Sequence, residues 1–321
     1  MTTKRITLFE ALQLLRPRPN DSHKGTFGTV NAVVGCSRYR GAAALSVMGA
    51  LRSGAGIVRL CSTERVCSAV TVQYPSATLL PLPETADGYL SATAVSEILK
   101  TVKPTDTLLL GCGLGQCADT GNAVNRLVFG SKCRKLIDAD ALNLLALTGS
   151  LKEAKVSGAL KNCIVTPHVG EASRLTGKPV SEISDNMEST ALEFSREYGC
   201  VTVLKSHKTV IATPSGDTVY MSEMGNSGLA KGGSGDVLAG LISGFLAQGY
   251  SEEDSAILGV AVHGSAADLC AGERTEQAML PSDLGEYICK VFKISEKEIT
   301  LLQRGTVPAD GGPLWERKSA N

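Results

Sequence analysis

Residues 107–138, TLLLGCGLGQCADTGNAVNRLVFGSKCRKLID, decide the fold class. Thr107 to Leu110 is an unbroken apolar run, Asn122 to Phe129 spaces its apolar residues three and four apart, and Leu136 to Asp138 is apolar again. Apolar runs without alternation suit strands buried on both faces, and a helical segment between two of them joins parallel neighbours. The alternation continues in both directions. Upstream, Thr29 to Val34 and Ile57 to Cys61 read as strands and Ala42 to Arg52 and Ala92 to Thr101 as helices; downstream, strands at Cys163 to Thr166 and Val201 to Leu204 flank a helix from Met187 to Tyr198. The pattern predicts an α/β protein with a parallel sheet and helices on both faces.

Two later features modify the pattern. Lys208 to Ala212 and Asp217 to Met221, joined by Thr-Pro-Ser-Gly, predict a hairpin and hence an antiparallel edge. Val237, Leu238, Leu241, Ile242, Phe245 and Leu246 form one helical stripe, with further helices expected at Glu253 to Cys270 and Ser282 to Lys290. No linker divides these blocks, so a single domain over residues 5–295 is expected, followed by a mobile polar tail at 304–321.

Composition narrows the function classes. The 321 residues are 43% hydrophobic, and Lys+Arg and Asp+Glu both number 32, so no overall field draws the chain to nucleic acid or acidic membranes. The ten cysteines show no CxxC pair and no zinc spacing, and read as buried thiols of a reducing cytosol. The first residues lack a signal-type apolar segment and no run approaches the ~18 residues of a membrane span, so a cytoplasmic location is expected.

The sharpest chemical signal is NSGLAKGGSGDVLAG, residues 226–240. Gly232, Gly233 and Gly235 around Ser234 remove side-chain bulk where the chain enters a helix, leaving free backbone N–H groups at its positive end, where a phosphate fits. Asp236 falls in the first helical turn. It either complements the helix dipole or takes the proton of an attacking hydroxyl in phosphoryl transfer. The order Gly-Lys-Ser/Thr of a P-loop is missing. GCGLG at 111–115 follows a strand and is either a ligand-approach loop or a plain turn; HKGTFG at 23–28 and GAA at 41–43 serve either ligand approach or close helix packing. TPHVGE at 166–171 puts His168 and Glu171 at a strand end, where a carboxylate can hold Mg2+ through water. DADALN at 138–143 is either a helix cap or a polar cluster, and Lys205 to Thr209 either wraps a nucleotide or makes a solvated turn.

These motifs, in this order from about His23 to Lys290, resemble those of the NAD(P)H-hydrate dehydratase family, ribokinase-like enzymes that repair hydrated nicotinamide cofactors. The resemblance implies a three-layer α/β/α sandwich, ADP or ATP as phosphoryl donor, Mg2+, and NADH or NADPH hydrated on the nicotinamide ring as substrate. It implies Asp236 as base and Gly232, Gly233, Ser234 and Gly235 at the transferring phosphate. It also implies Lys205, Ser206, His207, Lys208 and Thr209 at the nucleotide, and Ala42, Ala43, Gly113, Asn143, His168 and Asp236 at the hydrated cofactor. Glu171 occupies the place of the magnesium-organising glutamate. Stand-alone relatives are often homo-oligomers, a tetramer among the options, and a separately encoded epimerase is expected to interconvert the two epimers.

Cys112 and Val169 stand where the family pattern carries proline, and Leu229 where it often carries methionine. The alternative is a kinase of the same fold acting on a vitamin precursor of the hydroxymethylpyrimidine or hydroxyethylthiazole type. Those relatives tend to carry cysteine at the position of Asp236, which favours the dehydratase.

Overall fold

The computed structural model describes residues 1–303, with side chains through residue 294; the tail expected at 304–321 lies outside the described residues. Ten strands form one sheet: β1 (Thr2–Arg5), β2 (Thr29–Val33), β3 (Ile57–Thr63), β4 (Thr78–Leu82), β5 (Thr107–Leu110), β6 (Arg134–Ile137), β7 (Cys163–Val165), β8 (Val201–Leu204), β9 (Thr209–Ala212) and β10 (Thr218–Ser222). Their order is β1-β10-β9-β8-β7-β6-β5-β2-β3-β4. Only β9 runs against its neighbours, and all other pairings are parallel. The expected hairpin β9–β10 forms, but β1 pairs outside it and takes the edge.

Each central strand feeds two cores because successive side chains leave opposite faces. In β5, Leu109 packs with the core that holds the helices Arg40–Arg52, Ser234–Ala247 and Glu252–Arg274, whereas Leu108 and Leu110 pack with that of Ala118–Gly130 and Asp140–Leu147. All three leucines are fully buried, each contributing about 1.5–3 kcal/mol by removal from water. The layers are therefore helix, sheet, helix. By length and composition the helix Glu252–Arg274 could cross a membrane, but 78% of its apolar window is buried inside the fold, where it serves as a core helix.

The strand order reverses between β2 and β5: the chain builds β3 and β4 outward from one side of β2, then returns to lay β5, β6, β7 and β8 on the other. In doubly wound sheets the crevice at the carboxyl ends of such strands takes the ligand. The helix Ser234–Ala247 carries the Gly-rich segment to that crevice. It crosses Arg40–Arg52 at backbone contact, since a Cβ on Gly240 would lie 2.1 Å from the Ser46 carbonyl oxygen and one on Gly49 2.3 Å from that of Val237. At its far end, Arg134 donates from Nη1 to the Tyr250 carbonyl at 2.7 Å and from Nη2 to that of Leu246, placing a cation at the negative pole of the helix.

Candidate active site

At the crevice the loops after β2, β5, β6, β7 and β8 meet the N-terminus of Ser234–Ala247. Gly233 caps this helix with φ 108°, a left-handed conformation that glycine adopts without strain. Ser234 N is bonded to the Lys231 carbonyl and Val237 N to that of Gly233, while among the described residues the amides of Gly235 and Asp236 have no backbone acceptor. Two N–H groups are thus free at the positive helix end.

Asp236, in that first turn, is pushed up to about 7, chiefly by burial and then by the neighbouring Asp138 charge, with Lys205 opposing both. Asp138 directly follows β6 and is almost fully buried. Its Oδ1 accepts from Lys205 Nζ and from Thr166 Oγ1, each at 2.7 Å, and its Oδ2 faces Cys112 Sγ at 3.6 Å. Burial alone would lower the Lys205 ammonium, but the Asp138 and Glu171 carboxylates outweigh it and hold it above its usual range. A Cβ on Gly235 would lie 3.4 Å from Lys205 Nζ, so the cation sits directly beside the helix N-terminus. Burial, followed by the charges of Asp138 and Asp236, holds the Cys112 thiol well above its usual range and so protonated.

His168 and Glu171 form a reciprocal cap on the helix Val169–Thr176: His168 Nδ1 accepts from the Gly170 and Glu171 amides, and Glu171 Oε2 accepts from the His168 amide at 2.8 Å. Because Nδ1 accepts, the ring proton belongs on Nε2, 3.4 Å from Glu171 Oε1. Burial and the nearby Lys205 and Arg174 cations lower His168, which favours the neutral ring. Glu171 is pushed up to about 7, first by burial. Asn143 is buried, with its Oδ1 accepting from Arg174 Nη1 at 2.8 Å.

The small residues divide by role. Gly111, at φ 127°, lets the chain pass the Asp138 carbonyl, which a Cβ would approach to 1.9 Å; Gly113 meets Ala42, its would-be Cβ 2.6 Å from that of Ala42. Ala43 is fully buried beneath Gly35 and fills space. The Lys205–Thr209 segment splits: Lys205 enters the crevice floor, whereas Ser206, His207 and Lys208 are exposed, with Lys208 paired to Glu223 at 2.9 Å. Thr209 begins β9. Gly232 is open, with nothing near a would-be Cβ.

HKGTFG does not reach this crevice. His23 caps a short 3-10 turn, and a Cβ on Gly28 would lie 1.9 Å from the Ala247 carbonyl, at the opposite end of the helix from Asp236. Close packing explains those glycines. Likewise Lys231 donates to the carbonyls of Glu276, Gln277 and Met279, and Asn226 to Asp268, so these two motif residues anchor the Gly-rich segment. Sequence reasoning missed His263, buried in Glu252–Arg274, whose Nε2 donates to the Ser234 carbonyl at 3.0 Å and steadies the same turn. Burial lowers it to about 4, so the ring is neutral. Its signal was a single histidine inside an apolar helix, which nothing in the sequence ties to residue 234.

A mostly parallel α/β/α sandwich with an anion-ready helix N-terminus at its switch point defines the class as ribokinase-like. A ribokinase-like superfamily protein of Enterococcus faecalis shares it at TM-score 0.76 and 25% identity, covering 90% of this chain and 96% of that one. The chain belongs to the NAD(P)H-hydrate dehydratase family, whose model matches residues 30–290. It is 34% identical over 279 residues to the ADP-dependent (S)-NAD(P)H-hydrate dehydratase of Bacillus subtilis, covering 87% of this chain and 94% of the relative. The structure of the ADP/ATP-dependent NAD(P)H-hydrate dehydratase of that organism, co-crystallised with ATP/Mg2+, superposes at TM-score 0.74 with 28% identity, covering 92% and 99% of the two chains. The bifunctional NAD(P)H-hydrate repair enzyme of Moorella thermoacetica is 35% identical over 282 residues, 88% of this chain; this chain spans about half of such bifunctional relatives, 52% in that case.

Proposed function

We propose that this protein restores NADH and NADPH from the S epimer of their hydrated forms, consuming ADP or ATP. The observation that carries the reading is the Asp236 carboxyl, pushed up to about 7 one residue beyond a free helix N-terminus. Such a group is partly ionised near neutrality and basic enough to take the proton of a ring hydroxyl. The oxygen so activated attacks the terminal phosphoryl group, whose negative charge rests on the amides of Gly235 and Asp236 and beside Lys205. Phosphorylation matters because hydroxide leaves poorly and phosphate well. The ring nitrogen's electron pair then expels phosphate and restores the double bond, and no phosphorylated product is retained.

Glu171 fits a hard divalent cation: its buried carboxylate offers only oxygen and, among the described residues, has no lysine or arginine bonded to it. Mg2+ held there through water would supply charge neutralisation on the nucleotide phosphates. The contact of Ala42 with Gly113 and the placement of Asn143 and His168 around the crevice support their assignment to the hydrated cofactor. Gly232 to Gly235 and Lys205 to Thr209 are assigned to the nucleotide, Lys205 at its phosphates. Residues 5–295 are taken as one cytoplasmic catalytic domain that acts as a homo-oligomer in company with an NAD(P)H-hydrate epimerase. The bifunctional names of longer relatives support the epimerase partner, and the ten free cysteines support a reducing compartment such as the cytoplasm.

The test follows the near-ultraviolet absorbance of the dihydronicotinamide while the protein acts on hydrated NADH with Mg2+ and ADP, ATP or neither. A nucleotide-dependent rise with phosphate released in step is expected. A flat trace with both donors overturns the assignment and returns attention to small primary alcohols of the vitamin-precursor type.

A further inference from the structure

Cys112, Asp138 and Asp236 come from three separate segments: the loop after β5, the position directly after β6 and the first turn of Ser234–Ala247. One ligand atom from each lies within 4.8 Å of the other two. We infer that these three side chains form a capture site for a thiophilic divalent cation of the Zn2+ type, whose occupation blocks the crevice.

The donor set is a thiol with two carboxylates, so it differs from the oxygen-only environment of Glu171. Zn2+ takes thiolate sulfur at about 2.3 Å and carboxylate oxygen at about 2.0–2.2 Å, so its ligand atoms stand roughly 3.5 Å apart, and the 3.6 Å between Cys112 Sγ and Asp138 Oδ2 already has that spacing. Asp138 is held for the task. Its Oδ1 is occupied by Lys205 and Thr166, and its Oδ2 accepts the Cys112 S–H whose proton the metal would replace, as outer-shell partners orient ligands in metal sites.

Charge favours the same occupant. The thiolate and two carboxylates bring three negative charges, and Lys205 together with a divalent cation brings three positive ones, so the filled cluster is neutral. Among the described residues Asp236 has no ion-pair partner of its own, since Lys205 is bonded to Asp138. On binding, the metal–sulfur bond forms as the S–H bond breaks, and the proton leaves to solvent with no electron transferred. Cys112 and Asp138 are buried while Asp236 is partly open, so the remaining coordination position faces the crevice. Mg2+ is not drawn to this set because it prefers oxygen and dehydrates reluctantly. The soft donor is Cys112, which stands where the family pattern usually carries proline, so that pattern does not itself supply the sulfur.

Co2+ serves as the probe, added to the purified full chain with no substrate, so the outcome does not depend on the catalytic reading. A sulfur-to-cobalt charge-transfer band saturating at a single equivalent is expected. It should be erased by Zn2+, missing in Cys112→Ala and Cys112→Pro, and shifted to about ten-fold or more higher metal concentration in Asp236→Asn. Asp236→Asn keeps the thiol and changes one surface-reaching ligand, so the test stands even where a Cys112 variant misfolds. In turnover assays with excess Mg2+, Zn2+ should inhibit the wild type at ten-fold or more lower concentration than Cys112→Pro. Absence of the band in the wild type, or its persistence unchanged in Cys112→Ala or Asp236→Asn, overturns the site.

Discussion

The two ends of the helix Ser234–Ala247 spend glycine on different things. At the N-terminus, Gly233 turns the chain and Gly235 leaves an amide bare beside Lys205; farther along, Gly240 has its α-carbon against another helix, and beyond the last turn Gly28 abuts Ala247. A side chain at Gly235 blocks a ligand and one at Gly233 strains the turn, whereas one at Gly240 or Gly28 separates two backbones. A glycine-rich motif is therefore not one signal but two, told apart only by what lies opposite each α-carbon.

The comparison can be broken most severely at Asp236. Asp236→Asn should lower turnover about 10³- to 10⁴-fold with nucleotide affinity nearly unchanged. In the wild type, turnover should climb as pH rises through about 7, where the raised Asp236 carboxyl ionises, and this rise should vanish in the residual activity of the variant. A mutant as active as the wild type removes Asp236 from the role of base.

Gly240→Ala tests the packing end. A Cβ 2.1 Å from the Ser46 carbonyl has no flexible neighbour to displace, so denaturant unfolding should show a loss of about 2–3 kcal/mol. Gly235→Val is the matching change at the ligand end: its nearest neighbour is the tip of Lys205, so stability should shift by under about 0.5 kcal/mol while the nucleotide KM rises ten-fold or more. If Gly240→Ala instead leaves the midpoint unmoved and Gly235→Val unfolds the protein, the division of roles is reversed.

The mildest effect is expected at His263, which supports the turn from behind. Its folded value near 4 lies below the usual 6.5, so the unfolded chain binds a proton that the folded one refuses, and stability is lost as pH falls from about 6.5 toward 4. His263→Gln, which retains a donor for the Ser234 carbonyl, should flatten that loss, measurable as thermal midpoints at pH 7 and pH 5. Equal slopes in the two proteins sink the claim.

The interior strands were legible because burial on both faces writes uninterrupted apolar runs. β1 and β4 were not: Thr2 to Arg5 is fully exposed, and Thr78–Leu82 is an edge strand containing Pro81, so neither carries the signature of a buried strand. That is also why the hairpin was expected at the edge, which β1 in fact occupies. Within the crevice, Asp236, His168 and Glu171 could be picked out because strand ends and helix starts are local features. The pairing of Asp138 with Lys205 could not: both lie in motifs the sequence marks, but 67 residues separate them and nothing local joins one to the other. Lys205 read as part of a nucleotide-wrapping segment, and only the adjacency of β7 and β8 shows that it turns inward while its neighbours stay in solvent.

The helix that joins the two ends also sets how a nucleotide arrives. With 32 basic and 32 acidic residues, the protein has no long-range pull on a polyphosphate. Its attraction is concentrated in a dipole whose negative pole Arg134 neutralises and whose positive pole opens beside Lys205. Such a field fades within about 8–10 Å at physiological ionic strength. On the proposed reading, encounter is ordinary diffusion and capture falls to the mouth of the crevice, so selectivity for the nucleotide would reside in how slowly it leaves rather than in how fast it comes.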